Sequence, residues 1–172
     1  IVWSTGCGET IRLKNTRMEP VHAFESYRFD PGAPLASRVA EPPSFLLSYL
    51  KKMDNSPDYE PYLPGKGEIE SIRGALDDLP PLHKKIMRER LIGIYFVRNF
   101  KGSGLTDWVV DQKNTAYSIM VFNASVLSKS ISSLVTERER TCFINDDPSY
   151  GLSIDCGARY GGFMYILLHE ST

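Results

Sequence analysis

The residues with the clearest chemical potential are a histidine and a glutamate near the end of the chain, His169 and Glu170. An imidazole can bind a metal ion, and a neighbouring carboxylate can take a proton from water. The pair follows an unbroken apolar run, residues 163–168, which a glycine pair at 161–162 opens. A helix here would be apolar on nearly every face. The pattern therefore predicts a core segment that carries the two polar side chains into an interior.

Two other interpretations of this segment stay open. A short apolar run does not separate a helix from a strand by periodicity, so residues 163–168 are also compatible with a buried strand. The segment is also compatible with an ordinary core element that ends in an incidental polar pair. The elements that precede the segment are therefore needed to interpret it.

The segment resembles the first four positions of the His-Glu-x-x-His motif of zincin metallopeptidases, whose second histidine would fall one position after Thr172. In that motif two histidines lie on one helix face and bind zinc, and the glutamate polarises the zinc-bound water. The resemblance implies that His169 is a zinc ligand and Glu170 the general base. It also implies a peptide or protein substrate and metal ligands outside this sequence. The chain would then be the amino-terminal portion of a zinc-dependent peptidase.

The length and charge of the chain limit the other classes of function. A chain of 172 residues with 42% hydrophobic residues is long enough for one domain with a real core. The sequence contains 20 basic and 21 acidic residues, so its net charge gives no overall electrostatic case for binding nucleic acid. No apolar stretch approaches the length that a transmembrane span requires.

The order of elements predicts an α+β fold, with a small mixed β-sheet packed against helices. Five prolines make residues 1–43 an irregular arm, whose aromatic residues we expect to lie against a single domain at residues 44–172. Helical spacing begins at Ser44, at Ile69 and at Leu82, and a further helix is predicted from Ser125. Residues 55–67 and 141–157 are predicted loops. Residues 91–97 and 115–122 are predicted strands, the first of them buried on both faces.

This order is similar to the upper part of a zincin catalytic domain, which ends in the helix that carries the metal ligands. In that family an edge strand above the cleft pairs with an extended substrate. The resemblance implies that residues 115–122 form this edge strand.

The three cysteines allow more than one interpretation. Residues 1–7 loosely resemble the end of a bacterial lipoprotein signal, with Cys7 as a lipid anchor. This resemblance would imply a cell-envelope or secreted protein, in which Cys142 and Cys156 could form a disulfide. Three unlinked thiols are the other interpretation.

A second function, from a different class, also agrees with the sequence. The chain would then be a non-catalytic envelope or protein-interaction domain related to a peptidase. A histidine after Thr172 would favour the enzyme, and a natural stop there would favour the binding role. Catalysis by serine or cysteine has no support, because the sequence has no Gly-x-Ser-x-Gly elbow and no histidine positioned beside a cysteine.

Overall fold

The computed structural model describes residues 18–142, 151–157, 159 and 161–172. These residues form an α+β fold, as predicted, in which one five-stranded mixed sheet packs against helices. The strands are β1 (Val39–Ala40), β2 (Glu60–Tyr62), β3 (Leu91–Arg98), β4 (Gly104–Val110) and β5 (Ala116–Asn123). The helices are α1 (Ser44–Asp54), α2 (Lys66–Asp78), α3 (Pro81–Arg90), α4 (Ile131–Arg140) and α5 (Gly162–Glu170). Short 3₁₀ helices span Pro20–His22, Phe24–Ser26, Leu35–Arg38 and Ala124–Leu127.

Strand β3 lies at the centre of the sheet. On one side it pairs in parallel with β5, and on the other it pairs in parallel with β1 and antiparallel with β2. Strand β4 pairs antiparallel with β5 and forms the outer edge. The predicted loop at residues 55–67 therefore contains a strand. Its Pro61 is tolerated because β2 pairs with β3 beside β1 and belongs to the rim of the sheet.

The prediction that residues 115–122 form the edge strand is wrong. Strand β5 lies between β3 and β4, and the edge strand is β4. The physical reason is visible in β5 itself, where Ile119, Met120, Val121 and Phe122 are all buried. A run that is buried on both faces requires a packed layer above and below the sheet, which is typical of an interior strand.

Strand β3 separates two apolar clusters. Leu91, Ile94 and Phe96 contribute to a cluster that includes buried residues of α2, α3, α4 and α5. Ile92, Tyr95 and Val97 contribute to a second cluster, beneath α1 and the amino-terminal segment. A shift in register between Leu91 and Gly93 lets residues 91 and 94 face the same layer. The sheet is thus covered on both faces, as the continuous apolar sequence of β3 predicted.

The described part of the predicted arm packs against the sheet. Phe24, Tyr27 and Phe29 lie against the second cluster, as their aromatic character predicted, and the rings of Phe24 and Phe29 both contact Tyr117. Val39–Ala40 adds a short parallel strand beside β3. Residues 1–17, including Cys7, lie outside the described residues.

The predicted helix that begins at Ser125 is two elements. A short 3₁₀ helix ends at Leu127, and α4 begins after Ser130. The hydroxyl of Ser130 accepts a hydrogen bond from the Ser133 amide and so caps α4. The segment between these two elements contacts the start of α5. The amide of Gly162 donates a hydrogen bond to the carbonyl of Lys129, in that segment, at 2.7 Å.

Arg38 is a buried charged residue, with 7% of its surface exposed. Its guanidinium donates to the carbonyls of Met87 and Arg88, in the last turn of α3, and to that of Leu91. It also lies 5.0 Å from the centroid of the Phe29 ring. A carbonyl oxygen can accept two hydrogen bonds, and that of Met87 also accepts one from the Leu91 amide. Arg38 therefore adds buried hydrogen bonds that join the amino-terminal segment to the end of α3 and the start of β3.

We expect Arg38→Met to lower the free energy of unfolding by about 3 kcal/mol, because several buried carbonyls lose their donor together. Urea denaturation measures the change. Arg73→Met is the matched control, since Arg73 is exposed and paired only with Glu70, and should change stability by less than about 0.5 kcal/mol. Equal effects of the two substitutions would contradict the role assigned to Arg38.

Burial also raises the pKa of the Tyr95 phenol, to about 12. An unfolded chain releases this proton near the ordinary value of about 10. Stability should therefore be complete below about pH 10 and fall as the pH rises towards 12, by up to about 2–3 kcal/mol for this group. Denaturation midpoints compared for the wild type and Tyr95→Phe between pH 8 and pH 12 measure this loss. The variant should lose less stability over that range, and an identical loss in both proteins would contradict the prediction.

Candidate functional site

Helix α5, as predicted, is a buried helix, and its apolar run fixes its position. Phe163, Met164, Ile166 and Leu167 are buried in the cluster shared with β3 and β5. At its start, Gly162 lies so close to α4 that an added Cβ would be 2.5 Å from Leu134 and 2.8 Å from the Lys129 carbonyl oxygen. The helix is therefore anchored along its first two turns.

The last turn of α5 lies against the edge strand. Gly104 of β4 provides the close approach, since a Cβ there would be 2.7 Å from Ile166 Cγ2 and 2.9 Å from Glu170 Cγ. Two residues along β4, the Thr106 hydroxyl lies 2.9 Å from Glu170 Oε2 and 2.8 Å from the Glu170 carbonyl oxygen. Both oxygens are acceptors, so the hydroxyl hydrogen can be donated to either one.

A groove of about 240 Å³ lies between α4, α5 and the start of β4. Both residues predicted to do chemistry, His169 and Glu170, line it. The prediction that they lie in an interior is wrong. His169 is exposed and Glu170 is half-buried, because the last turn of α5 extends past the packed cluster to the edge of the sheet. The pair is thus accessible from solvent.

The groove contains three further polar side chains, which are those of Ser103, Arg138 of α4 and Tyr165 of α5. Arg138 Nη1 donates to the Tyr165 hydroxyl at 3.2 Å. On the other side of the guanidinium, Nε and Nη2 donate to Glu139 Oε1 at 3.2 and 3.0 Å. This carboxylate is the main reason that the pKa of Arg138 lies above its usual value, so the guanidinium stays charged.

Sequence reasoning missed Arg138, Tyr165 and Thr106. The charged run at residues 137–140 is typical of an exposed helix face, and Arg138 is exposed there and paired with Glu139. The signal for Arg138 was present in the helical spacing, because Leu134 and Arg138 are four residues apart and share the side of α4 that faces the groove. The contact of Thr106 with Glu170 had no signal in the sequence, since the two residues are 64 positions apart.

Among the described residues, cover on the outer edge of β4 is found at one end. Ala23 forms a parallel bridge with Val110, the His22 ring stacks on Trp108 at 4.1 Å, and His22 Nε2 lies 3.3 Å from Asp107 Oδ2. At the other end, next to the groove, the structure shows no strand partner on the outer side of residues 104–106 within the ranges that it describes. The backbone next to Glu170 is thus available for pairing.

The structure shows which side chains near the predicted zinc ligand, His169, could also bind a metal ion. A catalytic zinc site uses three protein ligands and one open position. His169 supplies one exposed imidazole, and the ranges described contain no group of three or more histidine, cysteine, aspartate or glutamate residues that could hold a metal ion. The described residues therefore do not fit a catalytic zinc ion by themselves.

The other predicted features are less closely connected to the groove. Cys142 and Cys156 are exposed free thiols, so the structure contains no disulfide between them. Among the described helices, none has the length and apolar character to cross a membrane.

Gly104→Ala should lower the free energy of unfolding by about 1–3 kcal/mol, because the new methyl group would overlap Ile166 and Glu170. Gly74→Ala is the matched control. Gly74 lies inside α2 with no atom within 4 Å of an added Cβ, so alanine there should be neutral or stabilising by about 0.5–1 kcal/mol. Chemical denaturation of both variants tests the difference, and a Gly104→Ala protein as stable as the wild type would refute the close approach.

A scan of protein-family models, a search of curated proteins and a search of solved structures each gave no match to this chain. Its function must therefore be inferred from its own residues.

Proposed function

We propose that this chain is part of a zinc-dependent peptidase, in which Glu170 is the general base and His169 is one of the metal ligands. The observation that carries the proposal is the contact between α5 and the edge strand. Thr106 of β4 bonds to Glu170, so a carboxylate and an unpaired strand edge share one groove. A peptide bond held along that edge would lie next to a group that can take a proton from water.

The substrate would bind as an extended chain. Its backbone would pair with the outer edge of β4 at residues 104–106, where the described structure shows no other strand. His22 and Ala23 cover the far end of β4 and would limit pairing to a short stretch of peptide. This arrangement directs the peptide towards the groove, because the described residues cover the far end of the edge and leave the end next to Glu170 uncovered.

Glu170 is positioned for proton transfer by its surroundings. The Thr106 hydroxyl is within hydrogen-bond distance of one carboxylate oxygen, Oε2, and restricts the orientation of the side chain. The half-buried carboxylate still faces a groove of about 240 Å³, which has room for water and a substrate group. The remaining metal ligands would come from residues outside those described.

The sharpest test uses the full polypeptide encoded by the source gene. We expect it to contain zinc by mass spectrometry and to cleave unstructured peptides, and we expect Glu170→Gln to reduce kcat/KM by about 10²–10⁴-fold while zinc is retained. Glu89→Gln is the control, since it removes a carboxylate from exposed α3, away from the groove. A protein without zinc, or a Glu170→Gln variant that cleaves like the wild type, would refute the peptidase.

The same material also tests the alternative function. Peptide binding at the β4 edge without cleavage by the zinc-loaded protein would favour the non-catalytic interaction domain. In that case Thr106→Lys, which places a charged side chain on the edge strand, should weaken peptide binding.

A further inference from the structure

The groove contains a positive charge that the proposed proton transfer does not use. Arg138 contacts Tyr165 within the groove, and Tyr165 and His169 follow one another by one turn on the same side of α5. The guanidinium therefore lies on the opposite wall from the helix that carries His169 and Glu170. A substrate group that enters between α4 and α5 would meet Arg138 and the reacting groups together.

The hydrogen bonds of Arg138 leave part of its guanidinium unoccupied. Of its five N–H groups, Nε and one on Nη2 donate to Glu139, and one on Nη1 donates to the Tyr165 hydroxyl. One N–H on each Nη atom thus has no acceptor in the described part of the chain. Guanidinium N–H groups without an acceptor can be donated to the oxygens of a carboxylate.

The charged side chains that line the groove are Arg138 of α4 and Glu170 of α5. The Glu170 carboxylate is engaged by Thr106 at the β4 end, and Glu139 binds Arg138 without lining the groove. The donors of Arg138 that lack an acceptor are therefore not matched by an acid of the groove itself.

The size of the groove selects the kind of ligand. At about 240 Å³ it is smaller than a typical pocket for a drug-sized molecule. It can accept one side chain of an extended peptide, but not a folded partner. Since neighbouring residues of an extended chain point to opposite sides, one acidic side chain can enter the groove while the backbone pairs with β4.

We propose that Arg138 selects peptides with a glutamate or aspartate beside the bond that lies at Glu170. This inference rests on the proposed function, because it assumes that an extended peptide occupies the β4 edge. It adds the substrate class: acidic peptides, recognised through a carboxylate bound by the guanidinium of α4.

The test measures peptide binding in the absence of cleavage. Fluorescently labelled, alanine-based peptides carry a single glutamate at successive central positions, each with a glutamine counterpart of the same shape. Binding is followed by fluorescence anisotropy in the full polypeptide with Glu170→Gln, which removes the proposed base. At one position the glutamate peptide should bind about tenfold more tightly than the glutamine peptide, and added salt should reduce that preference.

Substitutions in α4 test whether the preference for glutamate over glutamine peptides depends on Arg138. Arg138→Gln should abolish it, and Arg138→Lys should retain a part, because lysine keeps the charge without the two parallel donors. Arg140→Gln is the matched control, since Arg140 belongs to the same helix but bonds to the Leu152 carbonyl and does not line the groove. A preference that survives Arg138→Gln, or no preference at any position, would overturn the proposal.

The outcomes separate this inference from the proposed function. Equal binding of glutamate and glutamine peptides, together with cleavage of both by the protein with native Glu170, would refute the acidic preference and leave the peptidase intact. A glutamate preference without cleavage would support the acidic site and refute the peptidase.

Discussion

Burial of β3 on both faces is the constraint on which the rest of the structure depends. Leu91, Ile94 and Phe96 require cover on one face of the sheet, while Ile92 and Val97 require it on the other. Helices α2–α5 provide the first cover, and α1 with the amino-terminal segment provides the second. Strand β5, with four consecutive buried residues, also lies inside the sheet, and the more exposed β4 forms the edge.

One glycine of the edge strand β4, Gly104, allows helix α5 to lie close to the strand. Gly104 has no Cβ, so α5 can approach the strand until Ile166 and Glu170 fill the space where a side chain would lie. The buried run of α5 determines where the helix lies, and the glycine determines how near it comes. Together they bring a carboxylate from a core helix to a strand edge that faces solvent.

The groove combines groups that would repel or neutralise one another if they were free to move. Thr106 binds Glu170 on one side, and Tyr165 and Glu139 bind Arg138 on the other. Each charge is thus held on its own wall with a local partner, and the space between them stays open. Such separation would suit the proposed site, because the Glu170 carboxylate is not occupied by an ion pair with Arg138 and could act as the proposed base.

Much of the fold follows from local patterns. The continuous apolar residues of β3, the helical spacing in α1 to α3 and the apolar run of α5 are all visible in the sequence. Those patterns work because burial depends on a residue's own character and on its near neighbours. The division of the Ser125 segment, the strand at residues 60–62 and the edge position of β4 were not predicted, because each depends on pairing or capping by residues elsewhere.

The sequence by itself determined that His169 and Glu170 follow a buried apolar segment, and that one strand is covered on both faces. Only the tertiary structure decided that the pair emerges at the surface, beside Thr106 and opposite Arg138. The physical reason is that these groups come from three elements, β4, α4 and α5, whose distances are set by packing. A motif specifies which chemical groups are present, whereas the close approach at Gly104 specifies what lies next to them.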